Sequence, residues 1–232
     1  MKTSWLFLHG INNVPAIWTP IVEALTWASD VTTRLLPAIP NVDKIAETLW
    51  PSQGTRTLII GHSFGGYVAL AMLEKYPERV AGIVLINSHT RADNEAVCEV
   101  REQSARAAEH GEYKTLVENV RLRVYHPNNV DNPMLAQQRL EHAVHYGPER
   151  FAAHQRACAQ RPDRTAMLKR FHGPKLVLAS EEDLVIATDN QRSMATTCGT
   201  EFETIASAGH MLPAEQPTAV AHAIDRWWQA HT

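Results

Sequence analysis

Cysteine is scarce in this chain, and the few residues present are far apart. The three cysteines, Cys98, Cys158 and Cys198, form no C-x-x-C pair, and an odd number cannot all pair within one chain. Neither a structural zinc site nor a disulfide framework is therefore expected. We interpret them as free thiols of a protein in a reducing compartment, and we predict no metal.

Long hydrophobic runs are also missing. No stretch reaches the ~18–20 apolar residues of a membrane-spanning helix. The N-terminal residues MKTSWLFLHG contain a shorter apolar run than the h-region of a secretory signal, which needs about 7–15 residues and a cleavage site. The sequence therefore predicts a cytoplasmic protein that does not associate with membranes.

Charge of one sign is not concentrated anywhere. The net charge is -3, and no block of five or six like charges occurs along the 232 residues. A nucleic-acid partner is not expected, since such proteins cluster Lys and Arg. Hydrophobic residues make up 44% of the chain, enough for one large core and a small-molecule site.

Short apolar runs alternate with helical patterns, which is typical of βαβ units in an α/β fold with a parallel sheet. The sequence predicts strands over Trp5–Leu8, Thr33–Leu36, Thr57–Gly61, Gly82–Ile86, Lys175–Ala179 and Glu201–Ala206. It predicts helices over Pro20–Leu25, Val42–Leu49, Gly65–Lys75, Asp189–Ala195 and Pro217–Trp228. Most of the strands lack strict alternation, as strands covered on both faces do.

The segment from Ser88 to His172 contains no convincing strand. Helical patterns occur near Ala92–His110, Tyr113–Tyr125, Met134–His145 and Glu149–Cys158. We interpret residues 88–172 as a helical cap inserted between two strands of a core formed by residues 1–87 and 173–232. Two separate domains are the alternative. The sequence does not choose between a monomer and a homodimer.

The strongest local pattern is GHSFGG, residues 61–66, which lies between an apolar strand and a helical pattern. A sharp strand-to-helix turn there would project the hydroxyl of Ser63 above the sheet as a nucleophile. Gly61 and Gly65 suit that turn, because the backbone on its two sides comes close together. An ordinary βα turn with an N-capping serine is the alternative interpretation.

Two backbone N–H groups should stabilise the oxyanion of an acyl-transfer intermediate. The residue after the nucleophile, Phe64, is one candidate donor, and Ile11, after the first strand, is the other. His9, Gly10 and His62 adjoin these elements. We expect these three to shape the substrate site rather than to abstract the proton.

His210 is the candidate general base, because it follows the last apolar strand and so lies at the carboxyl end of the sheet. The acid behind it should follow the preceding strand, where Glu181, Glu182 and Asp183 compete. Asp183 precedes Leu184-Val185, which can anchor its loop, and is preferred. Glu182 is the principal alternative.

Taken together, LFLHG, GHSFGG, SEEDLV and AGHMLPAEQP resemble the α/β-hydrolase superfamily, and the resemblance covers almost the whole chain. Within it, the chain is similar to small carboxylesterases, enol-lactonases and cofactor-free haloperoxidase-like enzymes, including the cap segment QRACAQRPDR. Trp18 stands where many members have an aromatic residue, which suggests contact with substrate. The single glycine after His9 departs from the HGGG pattern of lipases and esterases.

This resemblance implies a compact core of about six strands and a serine hydrolase with the triad Ser63, Asp183 and His210. The expected substrate is a small or medium carboxylic ester, cleaved through an acyl-enzyme without a cofactor. Lactone opening, C–C or amide hydrolysis, perhydrolysis and acyl transfer could use the same triad, as could a ligand sensor without turnover.

Overall fold

The computed structural model describes residues 3–28, 30–50 and 56–232, so the predicted core range 1–87 includes positions outside the described residues. A single six-stranded sheet organises the described chain, and every neighbouring pair of its strands is parallel. The strands are β1 Ser4–Leu8, β2 Val31–Arg34, β3 Thr57–His62, β4 Val80–Ile86, β5 Lys175–Ser180 and β6 Glu201–Ile205. Their order across the sheet is β2-β1-β3-β4-β5-β6. The predicted α/β class and parallel sheet are confirmed.

The central strands are buried along their whole length. Every residue of β1, β3 and β4 is buried, which explains why these segments are continuous apolar runs. The edge strand β2 is half-exposed. Its predicted position, Thr33–Leu36, was wrong by two residues. The prediction included the apolar pair Leu35-Leu36, but an edge strand can form from residues that are only partly buried. Leu36 is instead buried just after β2.

Helices cover both faces of the sheet. The helices are α1 Thr19–Ala24, α2 Val42–Glu47, α3 Phe64–Lys75, α4 Glu95–Ala107, α5 Tyr113–Asn119, α6 Arg121–Val124, α7 Pro133–Tyr146, α8 Pro148–Gln160, α9 Thr165–Arg170, α10 Thr188–Cys198, α11 Leu212–Glu215 and α12 Pro217–Gln229. One face of the sheet is covered mainly by α2, α3, α8, α9 and α10, and the other by α1 and α12, and each face has its own apolar core. None of the helices in the described residues is long and apolar enough to cross a membrane.

Helices α4 to α9 all lie between β4 and β5, in the segment interpreted as a cap. Asn94 and Asn132 cap α4 and α7 by accepting hydrogen bonds from backbone N–H groups of the first turn. Gly147, at a φ of 79°, separates α7 from α8. The predicted helix Tyr113–Tyr125 was wrong in its continuity, since it divides into α5 and α6. Helix α9 was not predicted.

Candidate active site

Three polar side chains meet at the carboxyl edge of the sheet. Ser63 follows β3, Asp183 follows β5 and His210 follows β6. The Nε2 atom of His210 lies 2.9 Å from Ser63 Oγ. The Nδ1 atom of His210 lies 2.9 Å from Asp183 Oδ2 and 3.1 Å from Asp183 Oδ1. The arrangement can pass a proton from the serine hydroxyl to an imidazole whose other nitrogen is held by a carboxylate.

The turn that carries Ser63 has an uncommon backbone conformation. Ser63 has a φ of 51°, in the region that favours glycine. Its N–H donates to Ile86 O at 2.9 Å, while its own carbonyl accepts from Gly66 N–H and from the Ser88 hydroxyl, both at 2.9 Å. These three bonds fix the turn, so that the surrounding structure offsets the local strain.

Close backbone packing explains the glycines around Ser63. A Cβ atom at Gly61 would lie 2.5 Å from the Gly65 carbonyl oxygen. One at Gly65 would overlap the carbonyl of Leu8 at the end of β1, and one at Gly66 would overlap the Ser88 side chain. Helix α3 can therefore lie this close to β3, to the end of β1 and to Ser88 only with glycine at these positions.

Asp183 is buried, and its carboxylate is fully engaged. Apart from His210, its Oδ1 accepts from the backbone N–H groups of Val185 and Ile186 at 2.8 and 2.9 Å. Burial opposes ionisation, but His210 and these hydrogen bonds outweigh it and lower the pKa of Asp183. The alternative acid, Glu182, instead has its Oε1 3.8 Å from Nε2 of His126.

A buried amide positions the His210 loop, and the sequence analysis did not identify it. Asn87, directly after β4, donates from Nδ2 to the carbonyls of His210 at 3.0 Å and Gly209 at 3.2 Å. It also donates to Ser180 Oγ at 2.8 Å and accepts from Ser180 N–H at 2.8 Å. Its position directly after a predicted strand, at the carboxyl edge of the sheet, could have identified Asn87 as a candidate site residue.

Glu215 joins the same loop to the inserted helices. Its Oε1 accepts from Gly209 N–H at 2.9 Å, and its Oε2 accepts from His126 N–H at 2.8 Å and Asn129 Nδ2 at 2.9 Å. Burial raises the pKa of Glu215. The sequence analysis quoted this residue within AGHMLPAEQP without giving it a role.

The two predicted oxyanion donors lie in the wall of the cavity that contains Ser63 and His210. Phe64 is the first residue of α3, so its N–H has no intrahelical acceptor. Ile11 lies in a turn after β1. Their roles as oxyanion donors stay predictions.

His62 and His9 are both buried, but they occupy different places. His62 lines the cavity and donates from Nε2 to the carbonyl of His210 at 2.8 Å. His9 accepts the Leu36 N–H at Nε2, 3.1 Å away, which leaves its Nδ1 to donate to Gly10 O at 2.9 Å. His9 therefore stabilises the segment after β1.

Gly10 lies behind the nucleophile. A Cβ atom there would lie 2.9 Å from His62 Nδ1 and 3.3 Å from Ser63 Cβ. Trp18 is fully buried in the core, with its ring centroid 5.1 Å from that of Phe7. The structure thus places Trp18 among core residues and not in the cavity wall, because it packs against the side chain of a buried strand.

A cavity of about 460 Å³ opens above Ser63, between the sheet edge and the inserted helices. Apolar side chains from the insertion and the adjoining loops supply much of its wall: Val97, Leu116, Val117, Val120, Phe151 and Ile186. Its polar lining includes Ser63 and His210 and three arginines, Arg101, Arg123 and Arg139. Such a mostly apolar cavity suits a small organic ligand.

Within residues 3–28, 30–50 and 56–232, no cluster of three or more His, Cys, Asp or Glu side chains is placed to hold a metal ion. The residues around Ser63 offer a hydroxyl, imidazoles and one buried carboxylate. This set can carry proton transfer and nucleophilic attack with the groups of the chain itself.

Comparison with known proteins gives a relative of known activity. A pimeloyl-[acyl-carrier protein] methyl ester esterase of Aromatoleum aromaticum is 29% identical over 102 residues, which is 39% of this chain. The match spans 41% of that relative, so the chain matches about two fifths of its length.

Solved structures share the fold over nearly the whole chain. A thermophilic esterase from Thermogutta terrifontis has a TM-score of 0.85 at 24% identity and covers 99% of this chain and 91% of its own. The enol-lactonase from Burkholderia xenovorans LB400 has a TM-score of 0.86 at 18% identity, with 99% and 92% covered. These likenesses concern the fold. The model of the alpha/beta hydrolase family matches residues 6–223. The chain therefore belongs to the alpha/beta hydrolase family.

Proposed function

We propose that the protein is a serine hydrolase that cleaves carboxylic esters of small to medium molecules. The observation that carries the proposal is the continuous contact from Ser63 Oγ through the His210 ring to the buried Asp183 carboxylate, with 2.9 Å at each end. The arrangement opens into a mostly apolar cavity, as a small-molecule hydrolase requires.

The proposed reaction has two steps. Ser63 Oγ attacks the ester carbonyl carbon while His210 Nε2 accepts the hydroxyl proton. The oxyanion lies against the N–H groups of Phe64 and Ile11. When the intermediate collapses, His210 gives its proton to the leaving alcohol and an acyl-enzyme remains. Water, deprotonated by His210, then attacks the acyl carbon and releases the acid and the free serine.

Asp183 keeps a negative charge through both steps. It holds the His210 ring with Nε2 towards the serine and stabilises the imidazolium that forms. The pKa of Asp183 is lowered by His210 and two backbone N–H groups against the effect of burial, which supports a carboxylate that stays ionised.

A lactone is the second candidate substrate, because it presents the same ester bond within a ring. The enol-lactonase of Burkholderia xenovorans LB400 shares this fold over 99% of the chain. Comparing open-chain esters with lactones of equal carbon number separates the two candidates. The preferred substrate is the one with the larger kcat/KM.

Ser63→Ala tests the proposal. We expect this variant to keep the fold and to lose turnover of p-nitrophenyl butyrate by about 10⁴-fold or more, because a triad without its nucleophile retains only weak catalysis. Ser193→Ala is the matched control, since Ser193 is exposed on α10, and should turn over at the wild-type rate. Turnover by Ser63→Ala within tenfold of wild type would reject a serine nucleophile.

A further inference from the structure

A largely buried group of polar and charged side chains lies at the part of the cavity formed by α3, α4 and α8. We call it the arginine cluster: Tyr67, His89, Asp93, Arg101 and Arg161. Tyr67, His89, Asp93 and Arg101 line the same cavity as Ser63. The proposed ester hydrolysis does not use any of these side chains.

The arginine cluster carries one surplus positive charge. Arg161 binds Asp93 through two hydrogen bonds, Nη2 to Oδ1 at 2.7 Å and Nη1 to Oδ2 at 2.8 Å. That pair alone balances the carboxylate. Arg101 also contacts Asp93 through Nε and holds Gln155 Oε1 at 3.0 Å through Nη1. Burial lowers the pKa of His89 to about 4, so its ring adds no charge at neutral pH.

A second arginine charge beside a single carboxylate is costly in a buried place, because desolvation disfavours an unbalanced ion. The side chains of Asp93 and Arg161 are only 7% and 2% exposed, whereas that of Arg101 is 21% exposed. Arg101 is thus the cation of the cluster that a ligand in the cavity can reach.

Two hydrogen-bond donors of the cluster are free to face a ligand. The Nη2 group of Arg101 has no acceptor in the part of the chain that the structure describes. His89 accepts the Arg91 N–H at Nδ1, 3.1 Å away, so its proton is on Nε2 and points to Tyr67 Oη, also 3.1 Å away. The hydroxyl proton of Tyr67 is therefore not used by His89.

We propose that the arginine cluster binds a carboxylate on the acyl part of the substrate, so that the enzyme acts on monoesters of dicarboxylic acids. The inference rests on the proposed ester hydrolysis and deepens it. Arg101 supplies the charge and a guanidinium N–H, and Tyr67 supplies a second donor. A carboxylate of charge −1 neutralises the surplus charge of the cluster, whereas a phosphate dianion would leave one negative charge unpaired.

The acyl side follows from the position of His210. His210 Nε2 must contact the leaving alcohol in order to protonate it. The hydrogen-bond partners of the arginine cluster lie on α3, α4, α8 and the segment after β4, not on the loops of Asp183 and His210. We therefore assign the arginine cluster to the acyl side of the ester rather than to the side of the leaving alcohol.

The test compares monomethyl glutarate with the methyl ester of glutaric monoamide, which has the same shape but no charge. Methanol release gives kcat/KM for each ester, with the succinate and adipate monoesters as a length series. For the wild type we expect the acid to exceed the amide by about 10–100-fold at the best length, the range of a charge-assisted hydrogen bond.

Arg101→Gln should bring this acid-to-amide ratio to about one, and Tyr67→Phe should lower it several-fold. Arg106→Gln is the matched control, because Arg106 lies on the same helix but is 69% exposed, and it should leave the ratio unchanged. The ratio is insensitive to a general loss of folded enzyme. A wild-type ratio of one or less at every length, or a ratio that Arg101→Gln leaves intact, overturns the proposal.

Two further experiments test the acyl-side assignment and the binding of the carboxylate separately. The 2-carboxyethyl ester of butyric acid carries the charge on the alcohol; preference for it over monomethyl glutarate would overturn the acyl-side assignment. Titration of Ser63→Ala with monomethyl glutarate measures binding without turnover. If p-nitrophenyl butyrate is not hydrolysed, the proposed function fails. The anion site is still supported if Ser63→Ala binds monomethyl glutarate and the double variant Ser63→Ala/Arg101→Gln does not. Absence of binding overturns it.

Discussion

Acidification from pH 7.5 to 5.5 should destabilise the protein through three buried histidines. His9, His62 and His154 are at most 1% exposed. Burial lowers the pKa of His9 to about 4, even though a hydrogen bond to Gly10 opposes the shift. Burial lowers the pKa of His62 to about 3, with the nearby His210 adding to the shift, and it lowers that of His154 to about 3.

The sign follows from which state binds more protons. In the unfolded chain these imidazoles titrate near pH 6.5, about 3 units above their folded values, so below pH 6.5 the unfolded state binds more protons. The stability they contribute is present above pH 6.5 and is lost as the pH falls towards their folded-state pKa values of about 3 to 4. At pH 5.5 each costs about 1.4 kcal/mol, or about 4 kcal/mol for the three. His89, whose pKa burial lowers to about 4, adds to this loss in the same direction. Glu215, whose pKa is raised, titrates in the opposite direction and reduces the loss.

Urea unfolding followed by tryptophan fluorescence measures this effect. For a slope of roughly 2–3 kcal/mol per molar urea, the midpoint at pH 5.5 should lie roughly 1.5–2 M below that at pH 7.5. His154→Gln should reduce the pH dependence of the unfolding free energy by about 1.4 kcal/mol, the contribution of one imidazole. The exposed His222 on α12 provides the control variant His222→Gln, which should keep all of it. A wild-type midpoint that moves by less than about 0.5 M would refute the reasoning.

The remaining predictions concern the acid and the turn. Asp183→Asn should lower kcat on p-nitrophenyl butyrate by about 10⁴-fold, because the amide favours the wrong imidazole tautomer, whereas Glu182→Gln should keep it within about threefold; equal losses would contradict the assignment of Asp183. Gly65→Ala should lower the free energy of unfolding by more than about 3 kcal/mol, because its Cβ would overlap the Leu8 carbonyl. Gly199→Ala, where φ is 60° but no atom lies within 4 Å of the added Cβ, should cost only about 1 kcal/mol in the same urea assay; equal costs would contradict the overlap.

The central strands could be predicted because strands buried on both faces have continuous apolar runs. The edge at which Ser63, Asp183 and His210 meet could also be predicted, because the carboxyl ends of parallel strands lie at the same edge of a sheet. The edge strand β2 could not be placed from hydrophobicity, since Val31–Arg34 is half-exposed and held by backbone pairing with β1. The breaks within the helical insertion likewise depend on tertiary packing, as the division between α5 and α6 shows.

Residues of the candidate site could be predicted where a short sequence motif marks them, as around Ser63. They could not be predicted where side chains form hydrogen bonds between segments that are far apart in the sequence. Asn87 and Glu215 are distant in sequence from most of their partners, so periodicity carries no signal for their hydrogen bonds. The arginine cluster likewise joins residues from α3, α4, the segment after β4 and the position directly after α8. Trp18 shows the reverse case, because an aromatic residue near the site in sequence faces the core.

Labelling with a fluorophosphonate tests the central claim most directly, since this probe phosphonylates a serine only when a neighbouring base activates its hydroxyl. Intact mass and peptide mapping of the labelled wild-type protein should give one adduct per chain, located on Ser63. Prior substitution of His210 by Ala should slow its formation by at least about 10³-fold. No adduct, or an adduct on another residue, would contradict a hydroxyl at position 63 activated by His210.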